Sequence, residues 1–509
     1  GRVGVCLVTS GPGATNTITG IADAPYDSIP LVIFTCQVPQ SLIGNDAFQE
    51  VDIVGMTRSI VKYGVTVRDR KDLGRIIKMA FQIASSGKPG PVLIDIPKDI
   101  QTQNGPAGYP DHVDIRGYKP NETVHIGQLK KAYKILKSAK QPLLLAGGGV
   151  NISGAQELLT TFAEKMHIPV VTTVMGKGAI PTDHPLYVGN SGMHGRYAAN
   201  MAVSECDVLF SVGTRFNDRI TGDLNEFAPK AKIVHLDIDA SSISRNVVVD
   251  VPVVSDAKIA LERLVEWAEA KNTDKWLAKI GMWQEENPLE MRRDHGLSPQ
   301  MIMEAINDTF PQGIVVTDVG QHQMWATQYI TMPRGKQMIT SGGLGTMGFG
   351  FPAAVGAKIG APDKDVVCIT GDGGMQMNMQ EMATAICEKV PLTICILNNN
   401  YLGMVRQMQQ LFYGKRYEIT CLRRQTGCPD GCKGPNEACP PYVPDFVKWA
   451  ESYGAHGQRV TSLEEAKAAL AEAKERTDAS TVIEFMIATE EIVLPMVKSG
   501  NPMSEMILK

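Results

Sequence analysis

A chain of 509 residues is too long for one hydrophobic core, and at about 100 to 200 residues per domain it implies about three. Its hydrophobic content of 43% supplies ample core material, while a formal charge of −4 at neutral pH excludes a globally basic face for nucleic acid or an acidic membrane, so small anionic substrates need local basicity. No apolar run approaches the ~20 residues of a membrane-spanning helix, and Cys6, Cys36, Cys206, Cys368, Cys387 and Cys395 lie in apolar runs, as buried reduced thiols of a cytoplasmic protein do.

The chain opens Gly-Arg-Val-Gly without an initiator methionine, so a start cut short is expected and a transit peptide would lie outside this sequence. Residues 3–9 (VGVCLVT) are expected to form a buried strand that runs into the glycine turn Ser10 to Asn16 and then a helix. Residues 101–121 are rich in Gly, Pro, Asn and Asp without hydrophobic periodicity, which marks an interdomain linker. Next come a helix from Ile126 to Ser138 and a strand from Pro142 to Ala146 that ends in Gly147-Gly148-Gly149. Three glycines after a strand permit close approach of a ligand, although they depart from the spaced dinucleotide-binding pattern. Four later stretches, IPVVTTVMGKGAIP, GNSGMHGRYAANMAV, DVLFSVGTRFNDRITG and KIVHLDIDASSISRN, each place a strand end or glycine turn where a ligand could lie across a parallel sheet.

Residues from 261 to 297 have a charged helical pattern and are expected to end in a solvated connector, 271–297, whose tryptophans are packing anchors. The next domain starts near Ser298-Pro299 with a helix, and the strand Gly313 to Thr317 leads into Asp318-Val319-Gly320-Gln321-His322. The segment SGGLGTMGFGFPAAVGAKIGA (341–361) packs its glycines before a helix expected to start at Pro352. The domain spans drawn from these shifts are 1–105, 122–270 and 298–490, followed by a tail, 491–509.

Residues 366–405 carry the densest signal. Val366–Thr370 and Thr393–Leu397 are apolar on both faces, as parallel strands buried between helices are. Between them Asn378 is expected to cap a helix whose Met379, Met382, Ala383 and Ile386 form a core-facing stripe. Ligands of such units bind beyond the carboxyl ends of the strands, which sets Asp372 and Asn399 at one crevice. A carboxylate and an amide oxygen are hard donors suited to Mg²⁺, and Gly371, Gly373 and Gly374 let backbone N–H groups approach a diphosphate. Two ordinary surface turns would read the same way if either motif stood alone.

Gly-Asp-Gly followed by Asn-Asn after a second strand resembles the thiamine-diphosphate motif, and nearly the whole chain is similar to the acetohydroxyacid synthases, catalytic subunit. The resemblance implies an α/β fold of three doubly wound parallel-sheet domains, binding pyrimidine, flavin and diphosphate in turn. It gives Mg²⁺ to Asp372, Asn399 and the Tyr401 carbonyl, and the diphosphate end to Val319, Gly320, Gln321, His322, Gly371, Gly373, Gly374 and Gly403. Gly345 and Met347 would meet the aminopyrimidine ring, with Met347 as the wedge that bends the cofactor. In the first domain SGPGATN, DSIPLVIFTCQVP and GNDAFQEVDIVG carry the likeness. There Phe48 and Gln49 would border the reacting carbon, with Val38, Pro39, Ala47 and Lys98 at the substrate entrance. On residue type alone Phe48 is a core residue and Lys98 a solvated charge.

By the same resemblance FAD would contact Gly147, Gly148, Gly149, Thr173, Gly192, Met193, His194, Gly195, Gly213, Arg215, Arg219, Asp237 and Asp256. Arg219 is also the candidate for a substrate carboxylate; a surface ion pair is its plain alternative. The segment GMVRQMQQLFYGKRY, with Met404 and Met408, resembles the family's lid. Met408 stands where the family usually has tryptophan, at the wall of the second-substrate site. Residues 419–444 look like an insertion with no family role, and their Cys421, Cys428, Cys432 and Cys439 read as free thiols, as ligands of one tetrahedral metal ion, or as disulfides.

The implied activity is decarboxylating condensation of pyruvate with pyruvate or 2-ketobutyrate, in branched-chain amino-acid biosynthesis, by a homodimer or higher homo-oligomer that a small regulatory subunit could join. Another thiamine-diphosphate decarboxylase, carboligase or oxidase, or an inactive relative, would share much of the pattern. The family's activating glutamate falls before the counterpart of Gly1, and Asp23 and Asp27 look like helix and turn positions rather than replacements. Little activity is therefore expected of these 509 residues alone.

Overall fold

The computed structural model describes residues 2–106, 108–121, 123–291, 296–429, 432 and 438–508. Strands Gly4–Val8 (β1), Leu31–Gln37 (β2), Tyr63–Thr66 (β3) and Pro91–Pro97 (β4) make a parallel four-stranded sheet in the order β1-β2-β4-β3. Pro142–Ala146 (β5), Val170–Thr172 (β6), Tyr187–Asn190 (β7), Val208–Val212 (β8), Lys232–Asp237 (β9) and Val251–Val254 (β10) make a second parallel sheet, ordered β10-β9-β8-β5-β6-β7. The third contains Ile314–Thr317 (β11), Gln337–Thr340 (β12), Val366–Gly371 (β13), Thr393–Asn398 (β14), His456–Val460 (β15) and Thr481–Met486 (β16). Its order is β12-β11-β13-β14-β16-β15, again all parallel. A short antiparallel pair, Met496–Val497 (β17) and Met506–Ile507 (β18), closes the tail.

Alternating residues of one strand enter two cores. Leu144 and Ala146 join one cluster while Leu143 and Leu145 join another; likewise Val367 and Ile369 pack on one face of the third sheet, Val366 and Cys368 on the other. Helices cover both faces, and that is why these strands read as unbroken apolar runs. Among the described residues no helix is long and apolar enough to cross a membrane.

Several local expectations are corrected. β1 is an edge strand rather than a buried one, with Val5 59% and Leu7 71% exposed. The helix expected at Pro352 runs Gly350–Gly360, because a first-turn proline needs no hydrogen bond and two residues can precede it. Asn378 does not cap: its amide donates to the Gly348 carbonyl at 2.8 Å. The chain instead makes a 3₁₀ turn, Met379–Glu381, before the Met382–Cys387 helix, which turns Ala385 inward and leaves Ala383 exposed. Cys387 is exposed, and Cys6 and Cys36 are only partly covered; no disulfide joins the described cysteines.

The expected interdomain linker and the expected solvated connector are both anchored. In 101–121, Val113 is buried and the Tyr118 hydroxyl meets Lys62 Nζ at 3.1 Å and Ser86 Oγ at 3.0 Å. In the 271–297 stretch the Asp274–Glu286 helix buries Trp276 and Ile280 against the second sheet. The Trp276 indole N–H donates to the Pro142 carbonyl at 3.0 Å and its ring meets Trp283 edge-on at 5.8 Å. The tail crosses back over the middle domain: Val497 N–H donates to the Met193 carbonyl at 2.8 Å, and His194 Nδ1 to that of Pro495 at 3.3 Å.

Two predictions follow from these anchors. Trp276→Ala removes a buried indole with its hydrogen bond and should cost about 3–5 kcal/mol, read as an earlier denaturation midpoint; a shift under 1 kcal/mol would mean the helix is not held through this residue. Burial pushes His194 down to about 4, below its ordinary value of about 6.5, so the unfolded chain gains a proton that the folded one refuses. Stability should therefore fall as pH drops from about 6.5 to 4, by about 3 kcal/mol from this group, and His194→Asn should flatten that part of the profile in denaturant titrations.

Candidate active site

In each of the two larger sheets the chain turns back to the other side of its first strand, between β5 and β8 and between β11 and β13. Helices diverge at such a point and leave a crevice beyond the strand ends. A cavity of about 650 Å³ lies at the second of them. It is lined by Val319, Gly320, Gln321 and His322 after β11, by Gly345 and Met347, and by Gly371, Asp372, Gly373 and Gly374 after β13. Asn399, Tyr401, Gly403, Met404 and Met408 follow β14, and the middle domain adds Gly192, Met193, His194, Arg215 and Arg219.

The register pairs Gly371 with Leu397, so Asp372 and Asn399 leave the sheet at adjacent strand ends. Asp372 is buried; one carboxylate oxygen accepts from the Gly373 amide at 3.0 Å and the other has no partner. Burial raises its carboxyl to about 8, the signature of a carboxylate that wants a cation. Asn399 Nδ2 donates to Gln321 Oε1 at 3.0 Å, and Gln321 Nε2 donates to Gln407 Oε1 at 2.9 Å. Gly403 makes this network possible, since a Cβ there would stand 2.0 Å from Gln321 Oε1. His322 is neutral, pushed down to about 4 by burial, with Nε2 unpartnered. An orphaned carboxylate oxygen, hard oxygen donors and the N-terminus of the Gln321–Tyr329 helix fit a divalent cation with a diphosphate.

The glycine-rich segment beside them is held by residues whose role sequence reasoning missed. Asp318 accepts from the amides of Val319 at 2.8 Å, Gly348 at 3.0 Å and Gly350 at 2.8 Å. From the first domain Asp23, on the Ile18–Asp27 helix, accepts from Ser341 Oγ at 2.5 Å and Thr346 Oγ1 at 3.1 Å. Ser341 Oγ in turn accepts from the amides of Gly345 at 3.1 Å and Thr346 at 3.0 Å. Asp27 accepts from the Gly342 amide at 2.9 Å, and burial raises its carboxyl. The only sequence signal was two carboxylates four residues apart on one helix, which nothing local required.

A second cavity of about 680 Å³ opens at the β5/β8 switch and shares Arg215 and Arg219 with the first. Gly148, Gly149, Thr173, Gly213, Asp237 and Asp256 line it. Gly213 has φ +63°, and a Cβ on it would stand 2.6 Å from the Gly149 Cα, so two glycines are needed for these turns to touch. Gly147 lies behind them, its amide donating to the Val212 carbonyl at 2.9 Å, and Gly195 closes a turn onto Gly192 at 2.8 Å. Asp256 also caps the Ala257–Trp267 helix. Arg219 is solvated, 3.5 Å from Asp218.

Phe48, Gln49 and Lys98 line neither cavity. Phe48 is 88% exposed, Lys98 is exposed at the head of the Lys98–Thr102 helix, and Gln49 sits at φ +62° against Gly11. They lie at the carboxyl end of the first sheet, away from the crevice this chain forms. Among the described residues no three His, Cys, Asp or Glu side chains converge on a metal position, so the four insertion cysteines form no such cluster there.

Ser341→Ala should strip one donor from Asp23 and one acceptor from two amides, at about 1–3 kcal/mol. Hydrogen exchange at Gly345 and Thr346 should then quicken at least about tenfold while β13 is unaffected. Unchanged exchange at those amides would show that the relay does not order the segment.

The chain is similar to known proteins along its whole length. Residues 129–264 match the family described as thiamine pyrophosphate enzyme, central domain; residues 318–485 its C-terminal TPP binding domain; and residues 1–56 its N-terminal TPP binding domain. The acetolactate synthase large subunit of Corynebacterium glutamicum is 43% identical over 99% of this chain and 80% of its own length. The probable acetolactate synthase large subunit of Methanocaldococcus jannaschii is 44% identical over 100% and 85%, and the isozyme 3 large subunit of Escherichia coli 41% over 100% and 88%. With that identity along its whole length, the chain belongs to the acetolactate synthase large subunits, and the cofactor of its third-domain site is thiamine diphosphate.

Proposed function

We propose that the protein condenses pyruvate, with loss of CO₂, onto a second 2-ketoacid, giving 2-acetolactate from pyruvate or 2-aceto-2-hydroxybutyrate from 2-ketobutyrate, in branched-chain amino-acid biosynthesis. The observation that carries this reading is the buried, half-unpartnered Asp372 carboxylate beside Asn399 at the ends of adjacent strands. Mg²⁺ is assigned to Asp372, Asn399 and the Tyr401 carbonyl, and the diphosphate to Gly320, Gln321, His322 and Gly373. Thiamine diphosphate, when bound, supplies the electron sink that decarboxylation of a 2-ketoacid requires. Met347, Met404 and Met408 exclude water around it, and Arg219 offers its planar fork to the second substrate's carboxylate.

FAD is assigned to the second cavity, where the Gly149–Gly213 contact makes room for a flat, phosphate-bearing ligand. The condensation moves no electrons to an acceptor, so bound flavin should stay oxidised during turnover. Phe48, Gln49 and Lys98 complete the site only if a second copy brings its first domain to this crevice, which makes a homodimer the minimum active unit. The relatives are named large subunits, which favours a small regulatory partner, and the reduced cysteines suit the cytoplasm.

The test is product analysis with Mg²⁺ and thiamine diphosphate present. One CO₂ and one acetolactate should form per two pyruvates turned over; acetaldehyde or acetate as the product would overturn the reading. Met408 lines the pocket as a flexible thioether, and pocket changes of this size shift discrimination by about 1–3 kcal/mol. Met408→Trp should therefore change the ratio of the two products when pyruvate and 2-ketobutyrate compete, whereas an unchanged ratio would remove residue 408 from acceptor choice.

A further inference from the structure

Within 419–444 the described residues 420–423 and 439–442 land on the two turns assigned to the metal. At one end Tyr401 faces Cys421 in an antiparallel bridge. The Leu402 amide donates to the Thr420 carbonyl at 2.9 Å and the Leu422 amide to the Asn400 carbonyl at 2.9 Å. Bonds on both sides of the Tyr401/Cys421 pair make it a non-hydrogen-bonded pair, so the Tyr401 carbonyl points away from the inserted strand. The Leu422 side chain would be 3.4 Å from a Cβ on Gly373, which puts it over the Gly-Asp-Gly turn.

At the other end the Tyr442 hydroxyl accepts from Gln376 Nε2 at 2.6 Å, on the turn that follows Asp372, and lies beside the Asp372 carboxylate. Its ring packs on Phe446 at 5.7 Å. Arg423 ties the two ends together: Nε donates to the Pro440 carbonyl at 2.6 Å and Nη2 to that of Cys439 at 2.9 Å.

We propose that these two described ends, joined through Arg423, form a strap at the metal end of the cofactor site, in which Arg423 and Tyr442 are positioning residues that set the affinity for Mg²⁺ and thiamine diphosphate. The ion demands near-ideal octahedral geometry, and its proposed ligands come from two separate turns. Any freedom of one turn against the other must be lost on binding, at the expense of affinity. The strap removes that freedom beforehand. It does so through main-chain pairing on the Asn399–Gly403 side and the Tyr442 hydroxyl on the Asp372 side, so its effect should fall on cofactor binding and not on substrate.

The inference rests on the metal assignment, and the experiment separates the two. Full-length protein carrying Arg423→Ala, Tyr442→Phe or Asp372→Asn is titrated calorimetrically with Mg²⁺ and thiamine diphosphate, and the melting temperature of each cofactor-free protein is recorded. The first two variants should bind about three- to tenfold more weakly, the range of a lost hydrogen bond. Their cofactor-free melting temperature and their KM for pyruvate at saturating cofactor should be unchanged. Wild-type affinity in both, with Asp372→Asn weakened, overturns the strap alone; unchanged affinity in Asp372→Asn overturns the metal assignment and the strap with it. A lowered cofactor-free melting temperature in both would make the stretch a general packing element and also overturn the positioning role.

Discussion

Three buried carboxylates hold one glycine-rich segment, and the rest of the site depends on that restraint. Residues 341–350 have little side chain with which to pack, so their order comes from hydrogen bonds. Asp318 takes amides from one side, and Asp23 and Asp27 reach across from the first domain on the other. A carboxylate accepting backbone N–H groups in a low-dielectric interior forms bonds stronger than neutral ones. Without them the segment that carries Gly345 and Met347 would have to order itself when cofactor binds.

The Gln321–Tyr329 helix links the other two domains in a similar way. Its N-terminus opens on the cavity, while its last carbonyls accept hydrogen bonds from the middle domain. Lys177 Nζ donates to the Thr327 carbonyl and Arg196 Nη2 to that of Gln328 at 3.4 Å. Lys177 is fully buried and its amine is held well below the usual range by desolvation, with Arg196 and Lys336 nearby. Positive charge at a helix C-terminus is favourable, and here Arg196 brings it from another domain. The helix that presents Gln321 and His322 is thus oriented from outside its own sheet.

Both cavities follow from topology. A parallel sheet with both faces covered by helices exposes its main chain only at the strand ends, and the change in direction of strand addition opens a crevice there. The middle and third domains place these crevices so that Arg215 and Arg219 line both. The first domain contributes carboxylates to the segment but holds Phe48 and Lys98 away from it. One chain therefore assembles the third-domain cavity and leaves Phe48 and Lys98 outside it.

Local chemistry was enough to read the strand–turn–helix units, because apolar runs on both faces, terminal glycines and hard oxygen donors are properties of short stretches. The helix Ile126–Ser138 and the strand Pro142–Ala146 fall where periodicity and turn residues put them, and the Gly-Asp-Gly and Asn-Asn turns end neighbouring strands. Sequence could not show that β1 lies at an edge, since an apolar strand looks the same at an edge as at the centre. Nor could it show that Asn378 serves Gly348 rather than its own helix, or which carbonyl the Trp276 anchor would find. The clasp of Asp23 and Asp27 and the return of Tyr442 to the Asp372 turn were equally hidden, since each joins groups far apart in the chain. Only the tertiary structure decides such contacts, because a carboxylate or hydroxyl shows no preference for a distant partner until folding excludes water from both.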